Sequence, residues 1–289
     1  MIILIGALIV LGSVIGGFVM AGGHVGALLH LSEFIVIGGS ALGALVIMSP
    51  RKVLVDLVRQ LANALKGAPH NQTAYEELFK ALYELFTVGR RNGMIALEDH
   101  VLDPEKSAIL SKYSHFMKNE DAVVFLCNSL RPIIDGKIKP DQLKTLLDIE
   151  LESMEAEHHC PVNVLTKAAD AMPGFGIVAA VLGIVITMGS ISGPIEHIGE
   201  NVAAALVGTF LGIFLSYGFM NPLAVNIEFI NAAHLAYSRC IATAVVAFAN
   251  GLAPIMAIEI ARRGLSSDLR PNADALEASL KALTAQTKA

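Results

Sequence analysis

Two series of small and hydroxyl-bearing residues recur at helical spacing in the second half of the chain. Steps of three and four residues place each series on one face of a helix. Such faces let two helices pack closely, and they could also leave room for water and hydroxyl groups along an ion path. Spacing alone leaves both interpretations open. The first series is Pro173, Gly176, Ala180, Gly183, Thr187 and Ser190, and the second is Ala205, Thr209, Gly212 and Ser216.

An ion path through a membrane also needs an ionisable side chain, and such residues are costly enough there to occur only where they work. The apolar runs that carry the two faces, at about 172–190 and 202–220, contain no Asp, Glu, Lys or Arg. If these runs conduct, the titrating group must belong to another polypeptide. This chain would then supply a packing wall and hydroxyls such as those of Thr209 and Tyr217.

Two prolines bracket the pair of runs, Pro173 at the start of the first and Pro222 just after the second. Each proline removes a backbone donor and weakens its helix locally. Two weak points would let charge changes in the membrane move the rest of the chain. Proline at a helix entrance is also common without any function, so both interpretations stand.

Two patterns in the sequence resemble an enzyme motif and a metal site, but the residues around them do not fit either interpretation. The segment 174–179 has the GxGxxA pattern of a dinucleotide-binding turn, but no strand precedes it and no acidic residue follows at the required distance. His158, His159 and Cys160 are adjacent, so on a helix they point in different directions, and their spacing matches no zinc pattern. We expect no enzyme activity, no cofactor and no metal site.

The elements that position these residues are predicted to span a membrane. Four apolar runs, at about 2–21, 34–48, 172–190 and 202–220, contain no charged residue. Each is long enough, or nearly so, to cross ~30 Å of hydrocarbon. Only 16% of the chain is charged, against about 25% in soluble domains. The sequence therefore predicts four transmembrane helices.

The distribution of basic residues predicts the orientation of these helices. Of the 21 Lys and Arg residues, 15 lie within 51–167, the others lie within 239–288, and none lies in the connectors 22–33 and 191–201. Because basic segments stay inside, both termini and the long segment should be cytoplasmic. Three cysteines without paired spacing fit a reducing compartment. A net charge of −5 gives no sign of nucleic acid as a ligand.

Helical periodicity continues outside the runs, at about 75–88, 121–134 and 140–157, and no alternating strand pattern occurs. We expect the second span to continue past Pro50 to about Leu65, and 223–261 to form a long helix or a helix pair. The predicted fold is an all-α integral membrane protein. Its parts are spans one and two (1–50), a cytoplasmic helical domain (51–170), spans three and four (171–222), and a cytoplasmic helix and tail (223–289).

This arrangement resembles the MotA family of flagellar stator subunits over essentially the whole chain. The segments that carry the resemblance are 173–180, 207–212, 217–219 with Pro222, 90–98 and 268–271. The resemblance implies motility driven by a proton channel, in which five copies surround a dimer of the single-span partner MotB, whose aspartate carries the proton.

The resemblance also implies roles for particular residues. Arg90 and Glu98 would engage the rotor protein FliG, although Arg91 stands beside Arg90 and an ordinary solvated helix end would look the same. Pro173 and Pro222 would couple ion passage to movement. Ala180, Thr209 and Tyr217 would line the ion path. Sodium-driven relatives have threonine at the position of Ala180, so the alanine implies proton coupling.

Two alternatives from other classes remain. The ExbB and TolQ energisers of outer-membrane processes share the architecture of the last two spans, but they have three spans, and the two closely spaced N-terminal runs count against them. A helical membrane scaffold or passive channel without energy coupling would also explain the small-residue faces.

Overall fold

The structure is a computed structural model that describes residues 2–67, 70–189, 191–192 and 194–286, and all regular elements in these ranges are helical. Ser190 lies outside the described residues. The α-helices are α1 (Ile2–Met20), α2 (Leu31–Met48), α3 (Arg51–Lys66), α4 (Gln72–Asn92), α5 (Glu98–Leu102), α6 (Ser114–Met117), α7 (Glu120–Ile134), α8 (Pro140–Gly189), α9 (Ile195–Leu215), α10 (Asn221–Ala249), α11 (Pro254–Arg263) and α12 (Ala273–Gln286).

The chain divides into two compact units. The membrane unit contains Met1–Gly67 and Glu157–Ile230, and the second unit contains Ala68–Ala156 and Asn231–Ala289. Four stretches are long and apolar enough to cross a bilayer, namely Ile2–Met20, Val25–Met48, Pro140–Gly189 and His197–Ala249. The all-helical fold and the four membrane-capable helices are therefore as predicted.

The membrane unit is held together mainly by α2, α8 and α9. Ile37 and Ala41 of α2 are buried with Ala179 of α8 and with Val207 and Leu211 of α9. None of the residues of α1 is buried, as expected for a helix whose apolar side chains face lipid or another chain.

The second span does not continue past Pro50, and this prediction was wrong. Helix α2 ends at Met48, Ser49 and Pro50 are extended, and α3 starts afresh at Arg51. Proline disfavours the helical conformation of the residue before it, so Ser49 leaves the helix. Helix α3 is amphipathic and packs on α8 and α10 through buried side chains that include Leu57, Ala64, Val162 and Ile227.

The second unit has a continuous apolar core around α4. Leu78, Leu82 and Phe86 lie on one face of this helix and are fully buried, and Phe86 stacks on Phe248 of α10 with ring centroids 4.3 Å apart. Helices α4 and α7 match the predicted stretches closely. The segment 223–261 forms a helix pair, α10 and α11, and the final helix α12 adds Leu276 and Leu280 to the core.

Candidate functional site

The two predicted small-residue faces meet in a close contact between α8 and α9. A methyl group built on Gly176 would lie 2.8 Å from the carbonyl oxygen of Gly208, and one on Gly212 would lie 2.6 Å from the carbonyl oxygen of Met172. These neighbours are backbone atoms, which cannot rotate away. Only glycine therefore fits at both positions, and the two backbones touch directly.

The contact continues toward the C-terminal end of α8 and the N-terminal end of α9. A methyl group on Gly183 would lie 2.9 Å from the Cβ of Ala205. The buried hydroxyl of Thr187 donates to the carbonyl oxygen of Gly183 at 2.8 Å, so its polar group is satisfied within its own helix. The spacing of small residues thus correctly identified two faces that pack on each other.

Glu33 is a buried acid that sequence reasoning placed in the connector. It lies in the first turn of α2, only 6% of its surface is exposed, and its Oε2 atom has no hydrogen-bond partner among the described residues. A methyl group on Gly208 would lie 2.7 Å from this oxygen. The membrane-capable stretch Val25–Met48 therefore starts earlier than the predicted run at about 34–48, and it includes this acid. The available signal was that Glu33 is the only charged residue among the first fifty.

The three residues predicted to line an ion path differ in their surroundings. Ala180 and Thr209 are half-buried where α8 and α9 meet, and the Thr209 Cα atom would lie 3.3 Å from a methyl group on Gly176. Tyr217 is 62% exposed and follows the end of α9. The structure thus brings Ala180 and Thr209 to the same helix contact, whereas the Tyr217 ring points away from the protein interior.

Pro173 lies in the interior of a long helix, whereas Pro222 is the second residue of α10. Pro173 is inside the continuous helix α8. Pro222 follows a π-helical turn, Ser216–Met220, that joins α9 to α10. The side chain of Asn221 donates to Asp170 at 3.1 Å and thereby connects α10 to α8 close to both prolines in sequence. The helix-entrance explanation therefore does not apply to Pro173, whereas it stays open for Pro222.

Arg90 and Glu98 flank a tight turn on the surface of the second unit. Arg90 lies in the last turn of α4, is exposed, and donates from Nη1 to the carbonyl oxygen of Gly251 at 2.7 Å. Gly93 ends the helix with a φ of 87°, a conformation that favours glycine. Glu98 is the exposed first residue of α5. Arg91, also exposed, makes no hydrogen bond or ion pair within the described ranges.

A buried histidine in the second unit was not predicted. The His70 ring stacks on Tyr237 with centroids 4.1 Å apart and meets His234 edge-on at 5.1 Å. Burial, together with His234, lowers the pKa of His70 to about 4. The same environment raises the pKa of Tyr75, chiefly through burial. His70 precedes α4 in an irregular segment, so no periodic pattern could have revealed its burial.

Comparison with known proteins gives consistent results along the chain. Residues 4–93 match the model of the motility protein A N-terminal domain, and residues 117–229 match the model of the MotA/TolQ/ExbB proton channel family. Motility protein A of Salmonella typhimurium is 35% identical over 283 residues, which cover 98% of this chain and 96% of that protein. Chemotaxis protein LafT of Vibrio parahaemolyticus is 35% identical over 94% of this chain and 96% of its own length.

Solved structures share the fold. A structure of C. jejuni MotAB superposes with a TM-score of 0.76 at 20% identity, covering 92% of this chain and 96% of that chain. The flagellar MotAB stator complex from Bacillus subtilis gives a TM-score of 0.72 at 24% identity, covering 95% and 97%. The fold and the contact between α8 and α9 are consistent with these relatives. Because the near full-length relatives are 35% identical, the chain belongs to the motility protein A family.

Proposed function

We propose that this chain is a stator subunit of the bacterial flagellar motor, which forms with MotB a proton-conducting complex that converts ion flow into torque. The observation that carries the proposal is the 35% identity to motility protein A over 98% of this chain. The backbone contact of α8 with α9 supports the proposal. These two helices have no proton carrier of their own, so their role would be to form a closely packed, rigid side of the proton path.

The chain is a multi-pass protein of the inner membrane, and both termini face the cytoplasm. The clustering of Lys and Arg in 51–167 and 239–288 supports this orientation. The exposed apolar side chains of α1 are available to lipid or to another chain.

The partner is the single-span protein MotB, and its intramembrane aspartate is the main proton carrier. We expect the two proteins to purify together, and proton flux into vesicles to require both. Flux through vesicles that contain this chain alone would overturn the proposal. Five copies of the chain around a MotB dimer would place five contacts of α8 with α9 beside two acids.

Arg90 and Glu98 contact the rotor protein FliG. Both side chains are exposed at one turn of the second unit, as a rotor contact requires. Exposed ion pairs contribute only ~0–1 kcal/mol, which suits an interface that must form and release repeatedly. The hydrogen bond from Arg90 to Gly251 holds the arginine at this surface and leaves the rest of the guanidinium available.

Pro173 and Pro222 couple ion passage to movement. Each removes one backbone hydrogen bond from a helix that contributes residues to both units. The π-helical turn before Pro222 supports this role, since such turns occur frequently at functional sites.

The coupling ion is the proton, because the Ala180 side chain has no oxygen that could bind Na⁺. The energiser alternative shares the family model over residues 117–229. The match of residues 4–93 to the motility protein A N-terminal domain favours the motor.

A further inference from the structure

Glu33 is a carboxyl group that the stator function described above does not use. It is buried, and its Oε2 atom has no hydrogen-bond partner among the residues described. An unpaired charge buried away from water is strongly unfavourable. A buried acid without a cationic partner therefore either remains neutral or has a function that compensates for its cost.

The helices that surround Glu33 place its carboxyl beside the apolar stretches of α8 and α9. Gly208, which borders Oε2, is six residues along α9 from Val202, where the apolar run begins, about 9 Å along the axis. Ala180, which borders the same space, is nine residues before the end of α8 at Gly189, about 14 Å along that axis. Both offsets lie well within a ~30 Å layer.

The space around this oxygen fits a proton and not a metal cation. A methyl group built on Gly208 would lie 2.7 Å from Oε2 of Glu33, 3.1 Å from the Ala179 methyl group and 3.5 Å from the Ala180 backbone nitrogen. A hard cation requires about six oxygen ligands. The neighbours here are two small side chains and backbone already engaged in helices, so the carboxyl itself is the binding group.

The titratable neighbours of Glu33 lie on its own segment. The His30 side chain interacts electrostatically with the Glu33 carboxyl, and the Ser32 hydroxyl forms a hydrogen bond with it. From the helices packed against this site, residues 172–189 and 202–215 contribute no Asp, Glu, Lys, Arg or His. A proton that reaches Glu33 therefore arrives from the side of His30 and the outer connector.

We propose that Glu33 is a proton-binding station on the ion path, which accepts a proton from outside and passes it to the acid of the partner. The proposal rests on the stator function proposed above. In the first step an O–H bond forms at Oε2 while a hydronium ion from the outer side loses a proton and becomes water. In the second step that O–H bond breaks, the partner carboxylate takes the proton, and Glu33 returns to its starting state.

Proton flux into vesicles that contain the complex with MotB tests the station. Glu33→Gln keeps the shape of the side chain but cannot carry a proton, and we expect flux to fall about a hundredfold, the lower end of what a positioned proton-transfer group contributes. Glu33→Asp retains an acid and should restore part of the flux with a shifted pH profile. Glu200→Gln is the matched control, because Glu200 is an exposed acid near the outer start of α9, and its flux should equal that of the wild type.

Infrared spectra of the same complexes give a readout that does not depend on flux. The wild type should show a protonated-carboxyl band that Glu33→Gln lacks and Glu200→Gln retains. Wild-type flux in Glu33→Gln, or identical carboxyl bands in both proteins, would overturn the station even if the motor function holds. A wild-type complex that conducts no protons would instead contradict the stator function, and the carboxyl bands would still decide whether Glu33 binds a proton.

Discussion

At the scale of single residues, His70 makes the stability of the second unit depend on pH. Its pKa of about 4 in the folded protein is below the value of ~6.5 expected in the unfolded chain. The unfolded state therefore binds more protons below pH 6.5, and stability that is complete above this pH is lost as the pH falls toward 4. The slope is ~1.4 kcal/mol per pH unit, so we expect a loss of about 2 kcal/mol between pH 6.5 and pH 5.

Thermal unfolding of the purified complex measures this loss. His70→Phe keeps the stacking on Tyr237 but cannot be protonated, so its unfolding midpoint should vary less between pH 7 and pH 5 than that of the wild type. His159→Phe, at an exposed position, should behave as the wild type does. An unchanged pH dependence in His70→Phe would show that other groups control the acid sensitivity.

Arg90 and Arg91 can be separated because only Arg90 has an intramolecular partner in the described part of the chain. Arg90→Glu both reverses a charge and breaks the hydrogen bond to Gly251, so we expect swimming to be severely impaired. Reversing the opposing charge on FliG should restore part of the swimming, measured as ring expansion in soft agar. Arg91→Glu should have the smaller effect if Arg90 makes the contact. Failure of all rotor charge reversals to compensate would exclude an electrostatic contact.

At the scale of helices, the contact between α8 and α9 predicts a sharp difference between two glycines two residues apart. Gly176→Ala places a methyl group 2.8 Å from a backbone oxygen, and overpacking of this kind costs ~1–3 kcal/mol. Gly174→Ala is the matched control, because nothing lies within 4 Å of its added methyl group. We expect a lower unfolding midpoint and less assembled complex for Gly176→Ala only. Equal behaviour of both variants would mean that the helices separate easily.

Periodicity located the helices better than it located their ends. The steps of three and four residues found both faces of the α8 and α9 contact, because the side-chain period of a helix is a local property. The break at Pro50 could have been found from local chemistry. The burial of Glu33 could not be predicted, although its isolation as the one charged residue among the first fifty was visible. Hydropathy shows where an apolar run begins, but it does not show that α2 begins at Leu31 or that a glycine of α9 lies beside the acid.

At the scale of the whole molecule, the energy of one ion determines how much the protein can move. One charge that crosses the membrane releases ~2.3 kcal/mol per 100 mV, several times the thermal energy and much less than the cost of disrupting a packed core. The core around α4 should therefore move as a body. Under the proposed coupling, we expect so small an energy to act on the helical segments near Pro173 and Pro222.

The identity of that ion is the most direct test of the whole assembly. The Ala180 side chain offers no oxygen, so replacing sodium by potassium in the medium at constant pH should leave swimming speed unchanged, whereas dissipating the proton gradient should stop rotation. Ala180→Thr would add a hydroxyl where α8 and α9 meet, and we expect reduced speed because the larger side chain must fit into a close helix contact. Speed that follows external sodium in the wild type would show that the cation is bound by oxygens other than those of residue 180.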